Sequence, residues 1–202
     1  MKRSVSPLTE HQLERIQEER KLQIKEAALK EFALHGIAGT KMSSIAAAAG
    51  ISQGLSYRYF SSKEELFTEL VKEALEEADA ALGGIHHLPG SPAEQIREFT
   101  RLMLAPDNQS SFLLIRQVQI SDDVPEEAKK LIEQHSPGRT IERLIPVFIQ
   151  GQEAGDFYEG DAGTLLMCYL SVITGLMLQK SPQGDGFWSG QVDVLMRLIQ
   201  KN

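Results

Sequence analysis

The sequence predicts an all-α protein made of a three-helix, helix-turn-helix unit over residues 1–63 and a larger helical unit over residues 64–202. Three observations predict it. Apolar residues recur at spacings of three and four, and no convincing stretch alternates apolar with polar residues as a half-buried strand would. The breaks carry helix-end chemistry, with Ser-x-x-Glu boxes and proline at first positions and glycine after last ones. Near residue 50, two segments too short to fold alone are joined by a glycine turn and lined by alanines that permit close helix approach.

Ser6-Pro7, or Thr9 with Gln12 as a capping box, predicts the start of the first helix, and residues 1–20 are charged enough to form a frayed arm instead. Leu13, Ile16, Ile24, Ala27, Ala28 and Phe32 form its stripe, which Gly36 ends just after His35. Thr40 is expected to cap a helix through Ala49, and Ser52 a second one to about Phe60, across the Gly50-Ile51-Ser52 turn. Ser61-Ser62-Lys63-Glu64-Glu65 holds two overlapping capping boxes that start a long helix ended by Gly83-Gly84. Residues 83–92 read as a linker, after which Ser91-Pro92-Ala93-Glu94 caps a helix to about Ala105. Further helices are expected near 110–121, 125–135, 138–154, 161–180 and 187–200, with Pro146 kinking one from inside and Asp123 capping another.

Composition narrows the function classes. With 42% apolar and 24% charged residues and no low-complexity tract, the chain is expected to be globular. The polar start contains no signal-peptide core, and the apolar run from Leu165 to Leu178 is too short and too polar to span a bilayer, so a cytoplasmic protein is expected. The single cysteine, Cys168, excludes an intrachain disulfide and Cys-based zinc patterns, and its apolar surroundings predict an inert, small hydrophobe. The net charge of −7 conceals an asymmetry: residues 1–63 carry ten Lys/Arg against six Asp/Glu, while the remainder is strongly acidic. Such a head suits a polyanion, with the body held away from it.

The informative segment runs from Thr40 to Leu66. Ile45, Ile51, Leu55 or Ser56, and Phe60 can pin the second short helix across the first, which is helix-turn-helix geometry. Such a helix fits the major groove of B-DNA with its N-terminal residues at the base edges. Gln53 can bond an adenine edge, Gly54 keeps the backbone thin, Leu55 can touch a thymine methyl, and Tyr57 and Tyr59 offer hydroxyls to base or phosphate. No carboxylate lies between Thr40 and Phe60 to repel phosphate. Lys63, at the first turn of the following helix, reads as a phosphate clamp; Thr40, Lys41, Ser43 and Ser44 are candidates at the other end, with Ser52 at the turn.

These residues resemble the tetracycline-repressor (TetR) family of bacterial regulators. The family pattern is matched by Thr40, Ile45-Ala46, Ala49-Gly50-Ile51-Ser52, Gly54, Tyr57, Phe60 and Ser62-Lys63-Glu64-Glu65-Leu66. Ser56 departs from it, standing where the family more often has an inward leucine or isoleucine. The resemblance covers about the first third of the chain and implies phosphate contacts by Tyr59 and Lys63. It also implies a homodimer paired through its last two helices on a palindromic operator, with half-sites about 34 Å apart. On that basis Leu165, Leu166, Tyr169, Val172, Ile173 and Leu176, with Val192, Leu195, Met196 and Ile199, are expected at the subunit interface; core packing is the competing account of each.

The resemblance further implies a helical sensing domain whose small-molecule effector re-angles the heads and releases the operator. Met103, Phe112, Arg116, Gln119, Phe148, Gln152 and Tyr169 are candidates to line its cavity, against ordinary core or surface roles. The alternative keeps the DNA-binding head but makes the body a platform for another protein, in an activator or architectural factor. No enzyme and no cofactor are expected: His86-His87 lack a third ligand at metal spacing, the glutamates after Pro125 suit a helix start, and phosphate loops and nucleophile elbows are absent.

Overall fold

A computed structural model describes residues 10–135, 138–179, 184 and 186–201. The protein is all-α, with ten α-helices and two short 3-10 turns in the described residues. It divides into two compact units between Leu70 and Val71, a point inside the fourth helix.

In the first unit, α1 (Glu10–Gly39) is exposed along residues 11–19 and begins to bury side chains at Ile24, Ala27, Ala28 and Phe32. The expected starting caps at Ser6-Pro7 and Thr9 lie outside the described residues. Helical geometry breaks at Gly36, whose φ of 69° and ψ of 170° suit only glycine. Two short helices follow, α2 (Met42–Ala48) and α3 (Gln53–Tyr59), and then α4 (Lys63–Gly84). Phe32 of α1 meets Phe67 of α4 edge to face, with ring centroids 5.2 Å apart. Around that pair Ile37, Ile45, Ala46, Phe60, Leu66 and Leu70 close the core. Glu69 ties α4 to α1 through Lys21 at 2.7 Å and Lys25 at 2.6 Å. Burial works against the Glu69 carboxylate, but the two ammonium groups prevail and hold its pKa below the usual range.

The start of α4 realises only half of a capping box: Ser62 Oγ accepts from the Glu65 amide at 3.0 Å, but the Glu65 carboxylate accepts from the Ser61 amide at 2.7 Å and not from that of Ser62. Thr40 does not cap α2 as expected. Lys41 occupies that position without a side-chain bond, because the Thr40 hydroxyl is turned back into α1.

The second unit packs α5 (Pro92–Met103), α8 (Gly138–Glu153), α9 (Ala162–Met177) and α10 (Val192–Met196) around one core, with α6 (Pro106–Ile120) and α7 (Glu126–Gln134) beside it. Ser91 and Glu94 form the predicted reciprocal box at the head of α5. Helix α6 starts earlier than expected, since Pro106 takes the first helical position after Ala105. Asp123 does not cap α7: Pro125 stands at that position, and the Asp123 amide instead donates to Ser121 Oγ at 3.3 Å. Pro146 lies inside α8 as read from sequence.

The expected terminal helix over 187–200 is largely absent. A 3-10 turn (Trp188–Gln191) leads into the five-residue α10, and the chain then bonds sideways to the α8–α9 connection. The Tyr158 amide donates to Ile199 O at 3.0 Å and the Lys201 amide to Asp156 O at 2.9 Å, so these backbone groups are satisfied outside any helix. Above this, Phe148 and Phe157 stack with centroids 4.6 Å apart. Buried Gly151 passes so close that a β-carbon there would overlap the Phe157 ring edge.

Candidate nucleic-acid interface

The turn between α2 and α3 is built from backbone bonds that glycine makes possible. Gly50 takes φ 64°, its amide donates to Ala47 O at 3.0 Å, and the Ile51 amide reaches Ala46 O at 2.9 Å. This pair of bonds is a Schellman ending, which turns the chain sharply so that α3 starts across α2. Ser52 then caps α3, its hydroxyl accepting from the Leu55 amide at 3.3 Å.

Helix α3 sorts its side chains cleanly. Gln53, Gly54, Tyr57 and Arg58 are exposed, Leu55 and Tyr59 are half-buried, and Ser56 is buried. The polar Ser56 is accommodated because its hydroxyl donates to Gln53 O at 2.7 Å, leaving no orphaned group in the core. The exposed face therefore carries an amide, a phenol and a guanidinium on a helix without carboxylates. Gly54 adds a bare stretch of backbone: a β-carbon there would meet nothing within 4 Å.

Beside this face lies an open cleft of about 390 Å³ lined by Thr40, Lys41, Met42, Ser43, Gln53, Tyr57, Ser61, Ser62, Lys63 and Glu64. Ser43 and Ser44 are exposed on the first turn of α2, and Lys41 is exposed just before it. Thr40 and Lys63 are committed to the protein itself. The Thr40 hydroxyl, 1% exposed as a residue, donates to Gly36 O at 2.7 Å, and Lys63 Nζ donates to Ile37 O at 2.7 Å and Thr40 O at 3.0 Å. Sequence reasoning missed Arg58, although its i, i+4 relation to Gly54 places both on one face. It also missed Gln23, whose Nε2 donates to Ala49 O at 2.7 Å from 26 residues away, for which no local signal exists.

In the second unit the expected interface residues divide. Leu166, Tyr169, Ile173, Val192, Leu195, Met196 and Ile199 are buried in the chain's own core. Leu165 and Leu176 are half-buried and Val172 is exposed. The apolar surface of α9 is instead carried by Met167, Val172 and, just past its end, Leu178, with Ile149 exposed on α8. Cys168 is exposed on the same helix and is not the buried hydrophobe its neighbours suggested.

The effector candidates are spread from the core to its margin. Phe148 and Tyr169 belong to the core, and Met103 and Phe112 pack partly against it. Gln152 holds the α8–α9 connection through Tyr158 O at 2.8 Å and Gly160 O at 3.1 Å; Arg116 is half-buried and Gln119 exposed. Among the described residues, no three His, Cys, Asp or Glu residues are grouped to hold a metal, and no helix is long and apolar enough to cross a membrane.

Comparison with known proteins bears on the first unit and on the fold. Residues 24–70 match the family model described as bacterial regulatory proteins, tetR family. A stretch of 55 residues is 44% identical to the HTH-type transcriptional repressor SCO4008 of Streptomyces coelicolor, covering 27% of this chain and 29% of that protein. The ketosteroid transcriptional regulator KstR2 of Mycobacterium tuberculosis superposes with a TM-score of 0.70 at 20% identity, over 91% of this chain and 96% of that one. A transcriptional regulator of Saccharomonospora viridis, solved in complex with choline, gives 0.66 at 18% identity, over 92% and 100% of the two chains. The matched family and these relatives are regulators of transcription, not enzymes.

Proposed function

We propose, from a first unit that belongs to the tetR family of bacterial regulatory proteins, that this chain is a DNA-binding repressor which holds a palindromic operator as a homodimer and is released by a small-molecule effector. The face formed by Gln53, Gly54, Tyr57 and Arg58 carries the reading. A glycine inside a helix costs up to about 1 kcal/mol relative to alanine. At Gly54 nothing in the protein requires that sacrifice, since the space beyond its α-carbon is empty. The approach of a duplex to the α3 backbone accounts for it.

In this assignment Gln53 and Tyr57 address base edges and Leu55 a thymine methyl, while Arg58, Lys41, Ser43, Ser44, Ser52 and Tyr59 serve the phosphates. Two copies are required because one seven-residue helix reads too few base pairs for a unique site. Pairing is assigned to the exposed apolar surface of α8 and α9, around Ile149, Met167 and Val172, because α10 is short and its apolar residues are spent inside the chain. Effector release follows the regulator solved with choline in kind, without carrying over its ligand; the half-buried side chains Met103, Phe112 and Arg116 are the candidates nearest to that role.

The test is selection of duplexes from a random-sequence pool, followed by footprinting on the enriched site. Enrichment of a palindrome with two protected half-sites one helical turn apart is expected. A pool that emerges unchanged would end the reading.

A further inference from the structure

We propose that Gln23, oriented by Arg20, is a positioning residue that sets the angle at which α3 leaves its turn to meet a duplex; the proposal rests on the DNA-binding reading above. The turn uses Ala47 O and Ala46 O for the Gly50 and Ile51 amides, while Ala49, 4% exposed, keeps an oxygen that no backbone amide among the described residues takes. Gln23 Nε2 fills that acceptor from α1 at 2.7 Å. The direction of the amide is imposed. Arg20 NH1 donates to Gln23 Oε1 at 2.7 Å, and a guanidinium can only donate, so the oxygen faces Arg20 and the amino group is left for Ala49. The two residues stand three apart on one face of α1, which keeps the pairing local.

What the bond holds is a single peptide plane. The N–H end of the Ala49–Gly50 peptide is tied to Ala47 O at 3.0 Å and the carbonyl end to α1, so the planar unit is gripped at both ends. Gly50, at φ 64°, is where the chain swings toward Ser52, the cap of α3. A β-carbon there would meet nothing within 4 Å, so no packing contact fixes the bend from that side. Rotation of the plane is therefore passed directly to the axis of α3. Helix α1 is a firm reference for it: Lys21 and Lys25 pair with Glu69 of α4, and Lys21 Nζ lies 5.5 Å from the centre of the Phe60 ring. Phe60 is the C-cap of α3. One turn of α1 thus reaches the chain just before α3 and just after it, and the Gln23 contact is the directional one of the two.

The experiment uses the full chain and a duplex enriched by wild type from a random pool, together with its scrambled counterpart. Gln23→Met removes the donor with little change in length and none in charge, Arg20→Met removes the orienting group, and Arg20→Lys keeps a donor. Affinities of these variants and of the Arg20→Met, Gln23→Met double variant are measured over a series of sodium chloride concentrations. For Gln23→Met, binding to the enriched duplex falls by on the order of ten-fold, the scale of one lost hydrogen bond, while binding to the scrambled duplex and the salt slope keep their wild-type values. Arg20→Lys discriminates as wild type does. Arg20→Met loses discrimination, and adding it to Gln23→Met lowers the enriched-to-scrambled ratio no further, as expected of residues acting in series. An unchanged ratio in Gln23→Met would overturn the proposal, as would an equal loss on both duplexes. A further fall in the double variant would show that Arg20 does not act through Gln23. If Gln23→Met loses its helical signal, Arg20→Met decides, and a wild-type ratio there would overturn the proposal. Should wild type enrich nothing, the DNA-binding reading falls first, an outcome separate from all of these.

Discussion

The Tyr169 hydroxyl lies 2.8 Å from Thr100 Oγ1 and joins α9 to α5 inside the core. Thr100 donates its own proton to Ile96 O at 2.8 Å, so the phenol supplies the proton they share, with Met196 Sδ at 3.3 Å on its far side. Burial pushes the Tyr169 pKa up to about 12, against a smaller lowering from Thr100.

Because that pKa is raised, the stabilising contribution is whole below the unfolded value of about 10 and is lost as pH climbs from about 10 to about 12. The full effect is on the order of 2–3 kcal/mol. Tyr169→Phe should cost about 1 kcal/mol near neutrality through the lost hydrogen bond, and should unfold less steeply in alkali than wild type. Urea unfolding of both proteins at about pH 8.5 and about pH 11.5 checks this. A stability difference that does not change between the two conditions would contradict it.

Gly54→Ala separates fold from recognition. A methyl group meets nothing within 4 Å, so thermal stability should hold or rise by up to about 1 kcal/mol. Duplex binding should fall because the methyl occupies the space assigned to the groove. Unchanged affinity in titrations with the enriched duplex would remove the main argument for this face.

Gly151→Ala should act in the opposite sense. Its β-carbon would press into the Phe157 ring, itself fully buried and stacked on Phe148, so the core must shift at a cost of about 1–3 kcal/mol. Thermal melting is the measurement, and a melting temperature equal to wild type would show that the ring can yield freely.

Met167→Lys combined with Val172→Lys should leave the fold intact, since both side chains are already exposed, at 53% and 42%. Sedimentation should then report a monomer where wild type sediments as a dimer. A variant that remains dimeric would move the pairing surface away from α9.

Local chemistry made much of this architecture legible. Ser91 with Glu94, Ser52 before α3 and the glycines at 36 and 50 announce helix ends through bonds made within six residues, so their meaning survives without tertiary context. Thr40 was misread as a cap because its true partners belong to the preceding helix, and the carbonyl partners of Lys63 had no local signal because they arrive from 23 and 26 residues away. The apolar periodicity of α9 and α10 identified most of the buried residues, Val172 excepted, but could not say whose core would bury them. Ile173 and Met196 turned out to be the chain's own, and the exposed Met167 lay off the predicted stripe. The short α10 was hidden for a related reason: residues 197–201 turn aside toward the connection after α8, a long-range choice with no local signal.

The crowding of Gly151 against Phe157 also bears on how substitutions combine. In a library that varies both positions, added bulk at 151 would survive chiefly alongside a trimmed side chain at 157, so the two sites should show reciprocal epistasis while neighbouring positions vary independently.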